Sequence, residues 1–154
     1  YGGAPAKVTA TGSSIVDPAI GAEGDVDTAV VTLAWDDGRI AVIKNSRRAG
    51  YGYDQRIELL GSEGLLSAQN VLENTVQKIT TAGATSAKPV YFFLERYMRA
   101  YEDEWTAFIE AMKDGAAMPV TLREGVAALA CAEAATQSLK TGQTVAVTPA
   151  MLGA

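Results

Sequence analysis

The stretch "NSRRAGYGYDQR", residues 45–56, carries more hydrogen-bonding side chains than a connection between two strands needs. Its arginines offer forked N–H donors, its tyrosines offer hydroxyls on flat rings, and its aspartate and amides add acceptors. Such a set suits a neutral ligand with many hydroxyl groups, because that ligand needs several directional hydrogen bonds and an apolar surface for its ring. The segment therefore predicts a polyol-binding loop.

A structural role for the same residues is an equal alternative. In that interpretation Asp54 and Arg56 form an ion pair, while Tyr51 and Tyr53 cover the edge of a sheet. The glycines of the segment fit both interpretations, since glycine permits close backbone approach and positive φ angles. The residue types do not decide between the two.

The sequence argues against catalytic, cofactor-binding and metal sites in this chain. It has no histidine, which excludes Ser-His and Cys-His catalysis and most zinc sites. It has no GxGxxG or Walker sequence, since "GYGYDQ" lacks the third glycine and a strand-to-helix setting. The one cysteine, Cys131, lies in an alanine-rich helical pattern, where we expect it to pack as a small buried hydrophobe.

Composition and charge limit the partners and the compartment. The 154 residues carry a net charge of −5, which argues against nucleic acid or an anionic membrane as the main partner. No apolar run approaches the roughly 18–20 residues needed to span a bilayer. A single cysteine permits no internal disulfide and favours a reducing compartment, so we expect a cytoplasmic protein. The opening "YGGAPAKV" has no initiator methionine, which indicates a fragment of a longer protein.

The first half of the chain has the residue patterns of strands joined by short turns. Candidate strands span residues 7–13, 26–35, 39–46, 53–61, 64–70 and 75–82. The "DDG" sequence at 36–38 is typical of a tight hairpin turn. Consecutive strands with such short connections favour a mostly antiparallel sheet.

The second half has the periodicity of helices. Apolar residues recur at three- and four-residue steps from 94 to 112, which predicts a helix with an aromatic stripe ending near Gly115. Thr121 with Glu124 is typical of a capping box, and Gly142 stands where a C-cap glycine belongs. With a last strand at 144–147, the predicted fold is α+β: an open, mostly antiparallel sheet with two helices packed on one face.

Two apolar surfaces need explanation. The candidate strands 26–35 and 39–46 carry apolar residues on both faces, unlike a sheet with one face in water. Two helices cover only one face, so we expect the other to bind a second copy of the chain, with a tolerant exposed surface as the alternative. The helical stripe is typical of core packing, with Tyr97 or Tyr101 reaching a ligand as the alternative.

Two long segments carry a resemblance to a known family. They are "GDVDTAVVTLAWDDGRIAVIKNSRRAGYGYDQRIELLGSEG" and "KPVYFFLERYMRAYEDEWTAFIEAM", and the similarity runs from about Gly24 to Val147. This region resembles the C-terminal domain of inositol 2-dehydrogenases, in the glucose–fructose oxidoreductase/inositol dehydrogenase superfamily. The parts "SRRAGYGYDQR" and "YFFLERY" are specific to the inositol branch.

The resemblance implies that residues 1–154 are the C-terminal domain of a longer two-domain enzyme, whose N-terminal Rossmann domain binds NAD or NADP. It implies hydride transfer from a secondary alcohol carbon of a cyclitol, and a homodimer or homotetramer formed through the sheet. The family's catalytic lysine and its Asp-x-x-x-His pair lie ahead of the matched region, so the fragment is expected to be inactive and to bind no cofactor.

The resemblance also assigns the substrate-binding residues. By the match of "YGYDQR", Tyr53 or Tyr51 is expected to contact a polyol hydroxyl, while Asp54 and Arg56 brace the loop. Gly50 stands where a larger residue is usual, which implies a wider pocket or a looser loop. Two other functions stay open: a non-catalytic carbohydrate-binding or assembly module of the same fold, and a related sugar dehydrogenase.

Overall fold

The structure is a computed structural model of the chain and describes residues 3–153. In chain order its elements are β1 (Lys7–Ser13), α1 (Pro18–Ala22), β2 (Thr28–Ala34), β3 (Ile40–Ser46), β4 (Ile57–Gly61), β5 (Gly64–Ala68), β6 (Gln77–Thr80), β7 (Gly83–Ser86), α2 (Phe93–Asp114), α3 (Leu122–Thr141), β8 (Val145–Ala146) and a 3-10 turn (Pro149–Leu152). This combination of an open antiparallel sheet with helices confirms the predicted α+β class. Within residues 3–153, no helix has both the length and the apolar character that crossing a bilayer requires.

Among the described residues, 3–48 and 118–153 form the first of two compact units. Its sheet has the strand order β3-β2-β1-β8, and all three neighbouring pairs are antiparallel. The predicted turn at 36–38 closes the β2–β3 hairpin, where the Trp35 amide donates to the Arg39 carbonyl at 3.0 Å. Gly38 has a φ of +91°, a conformation that favours glycine.

Helix α3 packs on β1, and small side chains form the contact. Ala130, Ala134 and Ser138 are buried at four-residue steps, which places them on one face of the helix. Opposite them, Val8 is fully buried and Ala10 is 6% exposed. The predicted ends of α3 are confirmed. The capping box is present at its start, and the C-cap glycine at residue 142 has a φ of +68°.

The hydroxyl of Ser138 continues the hydrogen bonding of β1 beyond the end of β8. Strand β8 pairs only with Lys7 and Val8, so it does not reach the amide of Ala10, two residues further along. That amide donates to Ser138 Oγ at 2.9 Å, and the same hydroxyl donates to the Gln143 carbonyl at 2.6 Å. One side chain of the helix therefore satisfies a buried amide of the sheet and holds the connection that leads into β8.

A buried carboxylate fixes the loop between β1 and β2. Asp27 is 2% exposed and accepts hydrogen bonds from the amides of Ile15, Val16 and Asp17, and from the Thr28 hydroxyl. Burial raises the pKa of Asp27, but these hydrogen bonds outweigh it and leave the pKa below its ordinary value. The loop contains the short helix α1, in a stretch that the sequence patterns left as irregular.

The second unit, residues 49–117, contains two separate hairpins and helix α2. Strands β4 and β5 pair with each other, and so do β6 and β7. The prediction that all strands join one sheet is therefore corrected, because these four strands pair only locally. Strand β7 lies outside the candidate strands of the sequence, because its small and polar residues, "GATS", give no strand signal.

Helix α2 differs from the prediction in its surroundings. It belongs to the second unit, whereas α3 packs on the four-stranded sheet of the first. The expectation that the α2 stripe is core is also corrected, since Met98, Trp105 and Met112 are 52–64% exposed in this chain. Ala111 is the buried residue of this helix.

We predict that Ser138→Ala weakens the first unit more than Thr136→Ala does. Removing the Ser138 hydroxyl leaves the buried Ala10 amide unpaired, which costs about 1–3 kcal/mol. Thr136, on the same helix, is exposed and donates to the Ala132 carbonyl, so its loss is expected to change the free energy of unfolding by less than about 0.5 kcal/mol. Hydrogen exchange of the β1 amides measures both effects. Equal protection of the Ala10 amide in the two variants would refute the assigned role of Ser138.

Candidate functional site

Residues 49–56 of the predicted polyol loop lie in the second unit, ahead of β4, and a close approach of two backbone segments shapes them. Gly52 is buried, has a φ of +136° and faces Pro89, whose carbonyl oxygen would lie 2.7 Å from a Cβ added at Gly52. The next residue, Tyr53, donates its amide to the Val90 carbonyl at 2.8 Å. These contacts hold the loop against the segment that leads into α2.

Asp54 joins the loop to a second segment of the unit. Its carboxylate accepts from Arg56 Nε at 2.8 Å and Nη2 at 2.9 Å, from Asn70 Nδ2 at 2.9 Å, and from the Tyr51 hydroxyl. Asn70 also accepts the Gln55 amide at 2.8 Å, so it spans two successive residues of the loop. The expected ion pair of Asp54 with Arg56 is therefore present.

The charges of this network have a definite state. The Arg56 guanidinium, followed by the Tyr51 hydroxyl, holds the pKa of Asp54 well below its usual range. The hydrogen bond between the Tyr51 hydroxyl and the Asp54 carboxylate raises the pKa of Tyr51. Asp54 is therefore ionised and Tyr51 is protonated near neutral pH. Tyr51 is 55% exposed, and its hydroxyl donates its proton to Asp54. The lone pairs of that hydroxyl can still accept a hydrogen bond from a ligand.

Tyr53 lies in a second cluster, built with residues of α2. Its ring meets the ring of Tyr97 edge-on, with centroids 5.7 Å apart and planes at 78°. The Tyr97 hydroxyl donates to Gln55 Oε1, and the ring of Tyr101 follows at 6.1 Å. Hydrogen bonding with Tyr97, and then burial, raises the pKa of Tyr53. Tyr53 is half-buried, so its ring is neither sealed in a core nor fully in water.

A cation completes the α2 side of this cluster. The Arg96 guanidinium lies 5.6 Å from the centre of the Tyr97 ring, within the range of a cation–π contact. Arg96 Nε is buried and has no hydrogen-bond partner among residues 3–153. The tyrosine pair on α2 was an alternative in the sequence analysis, whereas Asn70 and Arg96 were not identified. The four-residue step from Tyr97 to Tyr101, which places both on one helix face, was the available signal.

All four predicted binding residues lie in the second unit, where Tyr51, Asp54 and Arg56 share one hydrogen-bond network and Tyr53 packs against Tyr97. Asn45, Arg47 and Arg48 belong to the first unit, where Asn45 lies within β3 and the two arginines follow the strand. The side chains of these residues supply hydroxyls, amides and one ion pair. The pKa values of Tyr51, Tyr53 and Asp54 are all shifted away from pH 7. No group of metal-binding side chains occurs among the described residues. The arrangement is thus able to bind hydroxyl groups and offers no evident general base.

Comparison with known proteins identifies the family. Residues 1–147 match a family model described as "Oxidoreductase family, C-terminal alpha/beta domain". The chain belongs to this family. It is 47% identical over 139 residues to the myo-inositol 2-dehydrogenase of Thermotoga maritima, covering 90% of this chain and 42% of that protein. The resemblance to inositol dehydrogenases noted in the sequence is thereby confirmed.

Solved structures agree with this relationship. A myo-inositol dehydrogenase from Corynebacterium glutamicum superimposes with a TM-score of 0.86 at 39% identity, covering 95% of this chain and 44% of that one. A scyllo-inositol dehydrogenase from Lactobacillus casei, with bound NAD(H) and scyllo-inositol, gives a TM-score of 0.81 at 25% identity, covering 94% and 42%. The chain spans 41–42% of the length of the curated relatives with which it shares 43–47% identity.

We predict that Gly52→Ala disrupts the loop and that Gly50→Ala does not. At Gly52 a Cβ meets the Pro89 backbone and the φ of +136° is strained for alanine, so the expected cost is about 1–3 kcal/mol. At Gly50 a Cβ meets nothing within 4 Å, which makes this variant the matched control. Denaturant unfolding and hydrogen exchange of the Tyr53 amide report both changes. Unaltered exchange at Tyr53 in Gly52→Ala would contradict this account of the loop.

Proposed function

We propose that this chain is the substrate-binding and oligomerisation domain of a longer, two-domain NAD(P)-dependent dehydrogenase. The enzyme oxidises a secondary alcohol of a cyclitol such as myo-inositol to the ketone. The proposal starts from the family of the chain and from the names of its relatives, which include a myo-inositol 2-dehydrogenase at 47% identity. Residues 1–154 are the C-terminal domain in this proposal, and a Rossmann domain precedes them.

The observation that carries the proposal is the braced tyrosine loop. A polyol presents many neutral hydroxyls, and it is bound best by groups that both donate and accept without net charge. Tyr51 and Tyr53 carry neutral hydroxyls, and their raised pKa values keep both protonated. The Tyr51 hydroxyl donates to Asp54, so toward a ligand it acts as an acceptor. The charge of Asp54 is neutralised by Arg56 at 2.8 Å, so the loop offers a ligand hydroxyls rather than a free charge.

In the proposed enzyme this chain binds and orients the substrate. Tyr53 or Tyr51 contacts a ring hydroxyl, while Asp54 and Arg56 keep the loop in place. The nicotinamide, when bound, supplies the acceptor for the hydride that leaves the alcohol carbon. We assign the group that removes the hydroxyl proton to the preceding domain, because this sequence has no histidine. The raised pKa values of Tyr51 and Tyr53 and the lowered pKa of Asp54 also make these three residues poor bases near neutral pH.

The exposed apolar side chains support the second part of the proposal. Ile40 and Val42 on β3 are 61% and 64% exposed, and Trp105 on α2 is 64% exposed. Apolar surface of this kind is typical of protein contacts. We assign the face of the sheet to a homodimer or homotetramer, and we expect the enzyme in the cytoplasm because its single cysteine favours a reducing compartment.

The experiment that tests the proposal uses the full-length protein that contains this chain. We expect reduction of NAD or NADP with myo-inositol or scyllo-inositol as substrate, and a substrate panel that includes glucose defines the preference. Turnover of sugars without turnover of cyclitols would identify a related sugar dehydrogenase. Binding of inositol without any turnover would identify a non-catalytic carbohydrate-binding module. Absence of both binding and turnover would refute the proposal.

We predict that Tyr53→Phe in the full-length enzyme lowers kcat/KM for the polyol about two- to tenfold. Loss of one neutral hydrogen bond costs about 0.5–1.5 kcal/mol, which corresponds to that range. The Kd of the nicotinamide cofactor is expected to stay unchanged, since the residue belongs to the substrate side. Tyr91→Phe is the control, because Tyr91 is 71% exposed and lies ahead of α2. Unchanged kinetics in Tyr53→Phe and in Tyr51→Phe would make the loop purely structural.

A further inference from the structure

Beyond the β4–β5 hairpin its two chains separate, and a third segment bonds to both of them. Within the hairpin, Ile57 is paired with Ala68. Outside it, Val90 donates its amide to the Val71 carbonyl at 3.0 Å and accepts the Tyr53 amide on its own carbonyl at 2.8 Å. The chain that leads into β4 and the chain that leaves β5 are therefore no longer bonded to each other by their backbones here, but to the segment that contains residue 90.

Asn70 lies where the two chains of the hairpin begin to separate. Continuing the hairpin register by two residues at this end sets Gln55 opposite Asn70. The Gln55 amide donates to the side-chain oxygen Oδ1 of Asn70 at 2.8 Å, and Asn70 Nδ2 donates to Asp54 Oδ1 at 2.9 Å. Asn70 is half-buried. Its side chain thus continues the connection between the two chains past the last backbone pair, and it holds two successive residues of the loop.

The two bonds of Asn70 require an acceptor and a donor on the same side chain. An amide side chain has both, since its oxygen accepts and its nitrogen donates. A carboxylate would only accept, and it would place a second negative charge beside Asp54, which is ionised because Arg56 lowers its pKa. A hydrophobic side chain would leave the Gln55 amide without this acceptor. The position is therefore matched to an amide side chain.

We propose that Asn70 is a positioning residue for substrate binding, which fixes the loop of residues 51–56 at its β4 end. This inference rests on the proposed polyol-binding function. Through Asp54, Asn70 acts on the Tyr51 hydroxyl, which bonds to the same carboxylate. Without Asn70, the loop keeps its contact with the segment ahead of α2 but loses its attachment to the chain that leaves β5. Ring hydroxyls of the substrate then meet side chains whose positions vary, so substrate binding weakens and nicotinamide binding does not.

The first variant to measure is Asn70→Ala in the full-length enzyme. We expect kcat/KM for the polyol to fall about tenfold or more, mainly through a higher KM, because misplaced substrate contacts are costly. The Kd of the nicotinamide cofactor is expected to stay unchanged. Asn74→Ala is the control, since Asn74 is exposed and its side chain accepts the nearby Val76 amide at 3.0 Å. An unchanged kcat/KM in Asn70→Ala would overturn the proposal.

Asn70→Asp separates positioning from a loss of stability, because its effect depends on pH. When protonated, the new carboxyl accepts the Gln55 amide on its carbonyl oxygen and donates its O–H to Asp54, as the amide does. When ionised, it repels Asp54. The other groups at this carboxylate are Arg56, which keeps Asp54 ionised, and Tyr51, which stays protonated. The shared proton therefore belongs to residue 70, and the neighbouring charge raises the pKa of that carboxyl above its ordinary value of about 3.9.

The expected result is a rescue at acid pH. Relative to the wild type at the same pH, kcat/KM of Asn70→Asp is expected to be low at about pH 8 and to recover as the pH falls toward about 5. Asn70→Ala is expected to show no recovery, and Asn74→Asp no change with pH, since Asn74 uses only its oxygen as an acceptor. Equal deficits of Asn70→Asp and Asn70→Ala at every pH would overturn the proposal.

Hydrogen exchange of the Gln55 amide without substrate separates this inference from the proposed function. Its protection is expected to fall in Asn70→Ala and to return at acid pH in Asn70→Asp. If the wild-type enzyme oxidises a cyclitol and the exchange changes but kcat/KM does not, the positioning role is wrong and the function stands. If the wild type neither binds nor oxidises a polyol, the proposed function fails, and the role of Asn70 in substrate binding fails with it. Thermal unfolding checks that each variant is folded, and the pH dependence of Asn70→Asp decides the matter if Asn70→Ala is not.

Discussion

The carboxylate of Asp54 accepts hydrogen bonds from Tyr51, Arg56 and Asn70, and the bond from Asn70 ties the loop to a residue 16 positions further along the chain. Its geometry depends on charge, because a protonated carboxyl would lose the pair with Arg56. The strength of the pair is moderated by water, since the Arg56 side chain is 50% exposed. Its main effect is therefore directional: the carboxylate fixes where the Tyr51 hydroxyl lies and leaves that hydroxyl neutral. An ion pair in this way organises the loop that we propose to bind uncharged ligands.

Much of the first unit could be predicted from the sequence because its signals are local. Strand β1 was predicted with the observed bounds, and α3 was framed by the capping residue Thr121 and by Gly142. The second unit was less predictable. Strands β4, β5 and β6 lie in predicted strand segments and β7 does not, and residue patterns do not reveal that the four strands pair only as hairpins. The exposure of Trp105 was missed for a related reason: a helical stripe looks the same whether it faces a core or a partner.

The candidate site shows the same division between local and distant information. The segment from Tyr51 to Arg56 was recognised from residue types, and the pair of Asp54 with Arg56 follows from two-residue spacing. The contact of Gln55 with Tyr97 joins residues 42 positions apart, and nothing in the composition of either segment specifies it. Gly52 is an intermediate case. A glycine at this position suggested a positive φ angle or a close backbone approach. Only the position of Pro89 shows that a side chain at residue 52 has no room.

The bond from Ser138 to the Ala10 amide has a consequence for how this fold tolerates change. Contacts between small apolar residues such as Ala130, Ala134 and Val8 are non-directional, so a helix seated on them alone could slide along the strand with little loss. A hydroxyl that completes one particular amide removes that freedom and defines a single register of helix on strand. We therefore expect the side-chain volumes at the contact of α3 with β1 to tolerate substitution, provided that the hydroxyl at residue 138 is kept and maintains the register of the helix on the strand.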